Sequence, residues 1–173
     1  MKRLKITFLF VILMFGVTLS KAQETTVTLD FDNGKTATET LKKYVTALQN
    51  ADVEGIAAVM TKDAMVYGLG GGLDSLNATQ HKEYWVNSLA NYKHNISNDL
   101  YLPVKVENNW NEGEWLLTWG VNKLKNNKTG IITPVPYHIA SLIVDGKITT
   151  MRYYLDYKSF LTKQGYTVIS PSE

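Results

Sequence analysis

No cysteine occurs anywhere in the 173 residues. Disulfides, thiolate nucleophiles, thiolate metal ligands and lipid attachment at a leader cysteine are all excluded. Histidine is nearly as scarce: His81, His94 and His138 are scattered, with no acidic residues at ligand spacing beside them, so no metal site is expected. Neither charge sign dominates. Four of the 18 Lys and Arg (Lys2, Arg3, Lys5 and Lys21) lie in the first 22 residues, and without them 14 basic side chains face 16 acidic ones, which moves the formal charge from +2 to −2. A near-neutral chain with no basic cluster gives no reason to expect a nucleic acid or an anionic membrane as partner. The one long apolar run, Ile6 to Leu19, is shorter than the ~20 residues of a comfortable membrane span. The glycine cluster Gly68-Leu-Gly-Gly-Gly72 lacks both the Lys-Ser/Thr ending of a phosphate loop and dinucleotide-fingerprint spacing. It is read as a flexible turn, and no cofactor is expected.

What is present begins with a leader. A basic start, Met1 to Lys5, precedes the apolar run, and Ser20 and Ala22 supply small residues at −3 and −1 of a cut after Ala22. Residues 1–22 therefore read as a secretory signal peptide, with export to the periplasm or the cell exterior and no membrane attachment after cleavage. Export without disulfides leaves stability to the core, and the remaining chain is long enough to bury one. Residues 23–35 read as a tether or short edge strand, 36–166 as one domain and 167–173 as a tail.

Thr36 to Glu39 matches a capping box, and Leu41, Tyr44, Val45 and Leu48 follow at helical spacing, predicting a helix over 37–50. Asp52 caps a second helix carrying Val53, Ile56 and Met60, which stops near Asp63. Ala64 to Tyr67 reads as a short strand. A third helix, about 78–92, opens near Ser75 or Asn77 and stacks His81 on Trp85 at i, i+4, while His94 beyond it is expected in solvent. The period then changes to two: strands are predicted over 101–107 and 114–124, the latter with Trp115, Leu117, Trp119 and Val121 on one face. Pro134 and Pro136 mark an edge or bulge, since proline cannot donate to a ladder.

The strongest local signal is Asp145-Gly146 between two β-branched and aromatic runs, a two-residue hairpin turn needing positive φ at both positions. In that register His138 faces Tyr153, and His138, Ala140, Leu142 and Val144 share a face with Thr149, Met151, Tyr153 and Leu155. The other face carries Tyr137, Ile139, Ser141 and Ile143 with Ile148, Thr150, Arg152 and Tyr154; its apolar content predicts a homodimer through the sheet. Asp156 then caps a short helix over 157–164, closed by Gly165 in the left-handed region.

Helices followed by a twisted meander make an α+β domain. The segments Tyr44 to Ile56, Met60 to Val66, Asp145 to Ile148, Tyr154 to Asp156 and Gln164-Gly165 resemble the nuclear transport factor 2-like (NTF2-like) superfamily and, within it, the SnoaL-like group. The resemblance covers about 36–166 and implies a cone-shaped fold, three N-terminal helices packed on a curved antiparallel sheet. It implies little about activity, because the scaffold hosts isomerases, dehydratases, cyclases and plain binding domains. Against ketosteroid isomerase, Tyr44 falls where a tyrosine donates to the developing oxyanion, Met151 matches a pocket methionine, and the proton-moving carboxylate falls on Gly68, where there is no base. The isomerase's second acid falls at or near His138. In SnoaL-like cyclases a His and an Asp do acid-base work; His138 and Asp156 are the nearest pair.

Two functions follow. The first is a binding module for a small apolar or amphipathic molecule, with Tyr67, His81, Trp85, Trp115, Trp119, Met151 and Tyr153 lining the cone. The second is a cofactor-free acid-base enzyme of the cyclase, isomerase or dehydratase kind, with His138 as acid-base and Tyr44 or Tyr153 as oxyanion donor. The missing base favours the first.

Overall fold

The structure is a computed structural model that describes residues 24–70, 74–167 and 169. The predicted leader, 1–22, lies outside the described residues, as does most of the tail. In chain order the elements are β1 (Thr26–Thr28), α1 (Gly34–Gln49), α2 (Val53–Ala58), β2 (Met60–Tyr67), β3 (Ser75–Asn77), α3 (Ala78–Asn91), β4 (Tyr92–Glu107), β5 (Gly113–Asn126), β6 (Ile132–Val144), β7 (Lys147–Leu155) and α4 (Tyr157–Lys163).

α1 starts earlier than its sequence predicts. Asn33 precedes the first turn without a side-chain cap bond, and the Thr36 to Glu39 box never forms because both residues are already helical. Ala37, Leu41, Tyr44, Val45 and Leu48 make its buried stripe. Asp52 caps α2 by accepting from Gly55 N at 2.8 Å. α2 ends at Ala58, before the predicted stop, because Met60 already opens β2. Asn77 and Gln80 form a reciprocal capping box at the start of α3, with bonds of 2.9 and 3.0 Å.

Among the described residues the sheet has seven strands in the order β1-β4-β5-β6-β7-β2-β3. The expected antiparallel sheet is in fact mixed: β2 runs parallel to β7, while every other pair is antiparallel. The chain leaves β2, pairs back on it as the short β3, crosses through α3 to β4 on the far side of the sheet, and returns to the other side of β2 as β7. Three of the four described helices precede β4, with β2 and β3 interposed between the second and the third.

The turn at Asp145 (φ 49°) and Gly146 (φ 69°) forms as predicted, with Val144 opposite Lys147. The register beyond it differs. Ile143 pairs with Ile148 but Leu142 pairs with Thr150, so Thr149 is an extra residue and His138 faces Tyr154, not Tyr153. The cause is apolar spacing. Ile148, Met151 and Tyr153 are all buried, at 0%, 0% and 7% exposure, and only a bulge after Ile148 turns all three to one side. Tyr137, Ile139, Ser141 and Ile143 join them beneath α1 and α3, and His138, Ala140 and Leu142 face outward instead. Pro134 and Pro136 pair with Lys123 and Val121 of β5 but lie beyond the end of β7, where β6 is itself an edge.

Candidate functional site

A cavity of about 300 Å³ lies between α1, α3 and α4 and the inner face of β4–β7. Val45, Leu48, Ile96, Leu124, Val135, Ile139 and Leu155 alternate with Tyr44, Tyr84, Trp85, Tyr92, Tyr137, Tyr153, Tyr157 and Phe160 around its wall. Such an apolar, aromatic wall with few polar groups is the usual make-up of a small-molecule site.

Beneath this wall sits a closed hydrogen-bonded cluster. Tyr44 Oη lies 2.6 Å from Tyr153 Oη and 3.0 Å from His81 Nε2. The Trp85 indole N–H donates at 2.8 Å to both Tyr44 Oη and His81 Nε2. All four side chains are buried, with Tyr44 at 0% and His81 at 1% exposure. The helical spacing of His81 and Trp85 brings them onto one face of α3 as predicted, with their rings at 85°. Burial lowers the His81 pKa to about 4 and raises those of Tyr44 and Tyr153 above their ordinary value. The cluster is therefore neutral at physiological pH.

A second imidazole, His94, lies in the cavity wall. It is 5% exposed, against the expectation that it faces solvent; the residues after α3 continue straight into β4, whose extra length carries His94 under the helix. Asn122 donates to its Nδ1 at 2.8 Å, which leaves the ring proton on Nε2, 3.2 Å from Ser88 Oγ. Its ring meets Trp85 edge-on at 5.4 Å, and burial lowers its pKa to about 4. Further along, a bulge between Ser97 and Leu100 presents Asp99. Tyr137 donates to Asp99 Oδ1 at 2.5 Å and Tyr101 to Oδ2 at 3.0 Å.

The site residues expected from sequence divide between the two faces of the sheet. Tyr44, Trp85 and Tyr153 line the cavity and His81 supports them from behind. Met151 is core, at 0% exposure. His138 stands on the outer face, its ring 4.6 Å from that of Trp119 and 5.5 Å from that of Tyr154. Its Nε2 is buried with no hydrogen-bond partner among the described residues. Trp115 and Tyr67 are also on that face, where with Trp110 they surround the Arg152 guanidinium at 5.7–5.9 Å. Asp156 is exposed and caps α4, accepting from Ser159 N at 3.0 Å and Ser159 Oγ at 2.5 Å. The structure therefore brings neither His138 nor Asp156 to the cavity: the β7 bulge turns the first outward, and the cap occupies the second. Ser88, His94, Asn122 and Tyr137 were missed. Ser88 and Trp85 lie three apart on α3, one turn, which was a signal available in the sequence.

Among the described residues no group of three His, Asp or Glu could hold a metal ion. No family model and no curated protein matches the chain. Solved structures do. A candidate isomerase of Bacillus subtilis superposes with a TM-score of 0.65 at 13% identity, covering 78% of this chain and 96% of its own. A candidate polyketide cyclase of Xanthomonas campestris pv. campestris gives 0.64 at 15% identity, covering 76% and 98%. A candidate SnoaL-like polyketide cyclase of Shewanella denitrificans OS-217 gives 0.56 at 13% identity, covering 75% and 96%. At such identities the likeness shows the fold alone: the chain shares its α+β fold with these proteins.

Proposed function

We propose that this chain is an exported protein that holds a small apolar or amphipathic molecule in the cavity between α1, α3, α4 and the inner sheet face. The observation that carries this reading is the wall itself: about 300 Å³ bounded mostly by aromatic and aliphatic side chains, room for a molecule at the small end of the usual ligand range. Most polar groups at its edge are bonded to one another, with Asn122 Oδ1 a buried exception among the described residues, so a ligand gains mainly by leaving water. Native mass spectrometry of the protein purified from its own host tests it. A stoichiometric copurified small molecule, released on denaturation, is expected; bare protein, with no uptake of apolar compounds afterwards, rejects the reading.

Export rests on the leader pattern, and a mature N-terminus at Gln23 is its expected signature. We also propose a homodimer through the outer sheet face, where Leu100, Trp119 and Tyr154 are 59%, 37% and 58% exposed. The isoleucines first assigned to that contact point inward; the aromatic residues take their place. Sedimentation showing only monomer at micromolar concentration counts against the dimer.

A second reading, acid-base catalysis, is favoured by His94, a neutral imidazole in the cavity wall with both ring nitrogens oriented by partners. The cyclase and isomerase names among the fold neighbours are in keeping with it. In that case His94→Ala abolishes turnover and His138→Ala does not.

A further inference from the structure

The hydrogen bonds beneath the cavity run in one direction, and that direction selects the ligand. An indole N–H can only donate. Trp85 Nε1 lies 2.8 Å from His81 Nε2, so that nitrogen is bare and the imidazole proton sits on Nδ1. Tyr44 Oη, 3.0 Å from the same bare nitrogen, must place its own proton there, because two lone pairs at that distance repel. With the Tyr44 proton committed to His81, the proton in the 2.6 Å contact between Tyr44 and Tyr153 belongs to Tyr153. Tyr44 Oη then accepts from Trp85 and from Tyr153 and donates to His81, which fills its capacity. Tyr153 is the end of the chain. It lines the cavity, its proton points away from it, and its oxygen lone pairs are what remains to offer.

We infer that the cavity presents a hydrogen-bond acceptor at Tyr153 and selects apolar molecules that carry a hydroxyl donor, such as alcohols or phenols. This rests on the cavity-binding reading and narrows it. It also reverses the role implied by the isomerase resemblance, in which Tyr44 or Tyr153 donates to an oxyanion: here both protons are already spoken for by His81 and Tyr44. A ligand offering only an acceptor, a ketone or an ether, meets lone pairs at Tyr153 and leaves a buried group unpaired.

Three matched probes separate the possibilities: 2-naphthol, which can donate; its methyl ether, which can only accept; and naphthalene, which does neither. Calorimetric titration of the full mature protein is expected to show naphthol binding at least ten-fold more tightly than either of the others. In Tyr153→Phe that preference falls to within about two-fold, while naphthalene affinity is kept. Heteronuclear NMR of the histidine rings gives an independent check, with His81 expected as the Nδ1–H tautomer. Equal binding of naphthol and its ether, or a His81 proton on Nε2, overturns the inferred direction and leaves the cavity reading standing. Failure of all three probes to bind rejects both.

Discussion

Trp85 donates its indole N–H to His81 Nε2 at 2.8 Å, one turn away on the same helix. The bond fixes one tautomer of an imidazole that burial keeps neutral, and burial between Ser88 and Asn122 keeps His94 neutral too.

The two imidazoles make stability depend on pH in a definite direction. Each has a folded pKa lowered to about 4 from an ordinary 6.5. Their contribution is complete above pH 6.5 and is lost as pH falls toward 4, because the unfolded chain takes up protons that the folded chain does not. Each contributes a slope of up to about 1.4 kcal/mol per pH unit within that window. Urea midpoints measured from pH 7 to pH 5 are expected to fall steadily, and His94→Gln should roughly halve the slope. A midpoint that is flat over this range contradicts the assignment.

Gly68 is where the isomerase resemblance places a missing base, and the structure gives a reason for the glycine. Its φ is +85°, and an added Cβ would lie 2.2 Å from the Tyr153 carbonyl oxygen. Gly68→Asp therefore does not install a base. It should destabilise the fold by more than ~2 kcal/mol in denaturant unfolding, through clash and backbone strain together. A variant as stable as the parent would show that the β2 end yields freely.

Gly120 seats the Asp99–Tyr137 pair. A Cβ there would stand 2.4 Å from Asp99 Oδ1 and 2.7 Å from Tyr137 Oη. Gly120→Ala is expected to break the 2.5 Å bond between them, costing about 1–3 kcal/mol. The Tyr137 phenol, which burial and the Asp99 carboxylate hold above its ordinary pKa, should then titrate at lower pH. Ultraviolet titration against the parent reads that change, and an unaltered phenol would argue that the pair survives.

Much of the fold was legible in the chain because local rules and tertiary packing agree there. The Asp52 and Asp156 caps, the Asp145-Gly146 turn and the buried stripe of α1 all form where spacing placed them. The site was half legible. Tyr44, Trp85 and Tyr153 reach the cavity, whereas His138 does not, since one extra residue at Thr149 reverses the face of β6 from Leu142 back, relative to β7. The clue was a spacing of three between Ile148 and Met151, which a strictly alternating strand cannot bury on both counts. His94 was hidden for another reason: β4 begins directly at the end of α3 with polar residues, so neither hydrophobic period marks the strand that carries it.

The claim on which the rest depends is that ligand enters the cavity rather than covering the outer sheet face, and a neutral fluorescent apolar probe, N-phenyl-1-naphthylamine, decides between them. Leu155 lines the cavity without belonging to its fully buried core, so the added volume of Leu155→Trp goes into the cavity, and its urea midpoint, measured alongside, separates lost binding from lost folding. The account predicts one equivalent bound by the parent and by Trp119→Ala, and at least ten-fold weaker binding by Leu155→Trp. Undiminished binding by Leu155→Trp together with loss in Trp119→Ala would place the site on the outer face and contradict it.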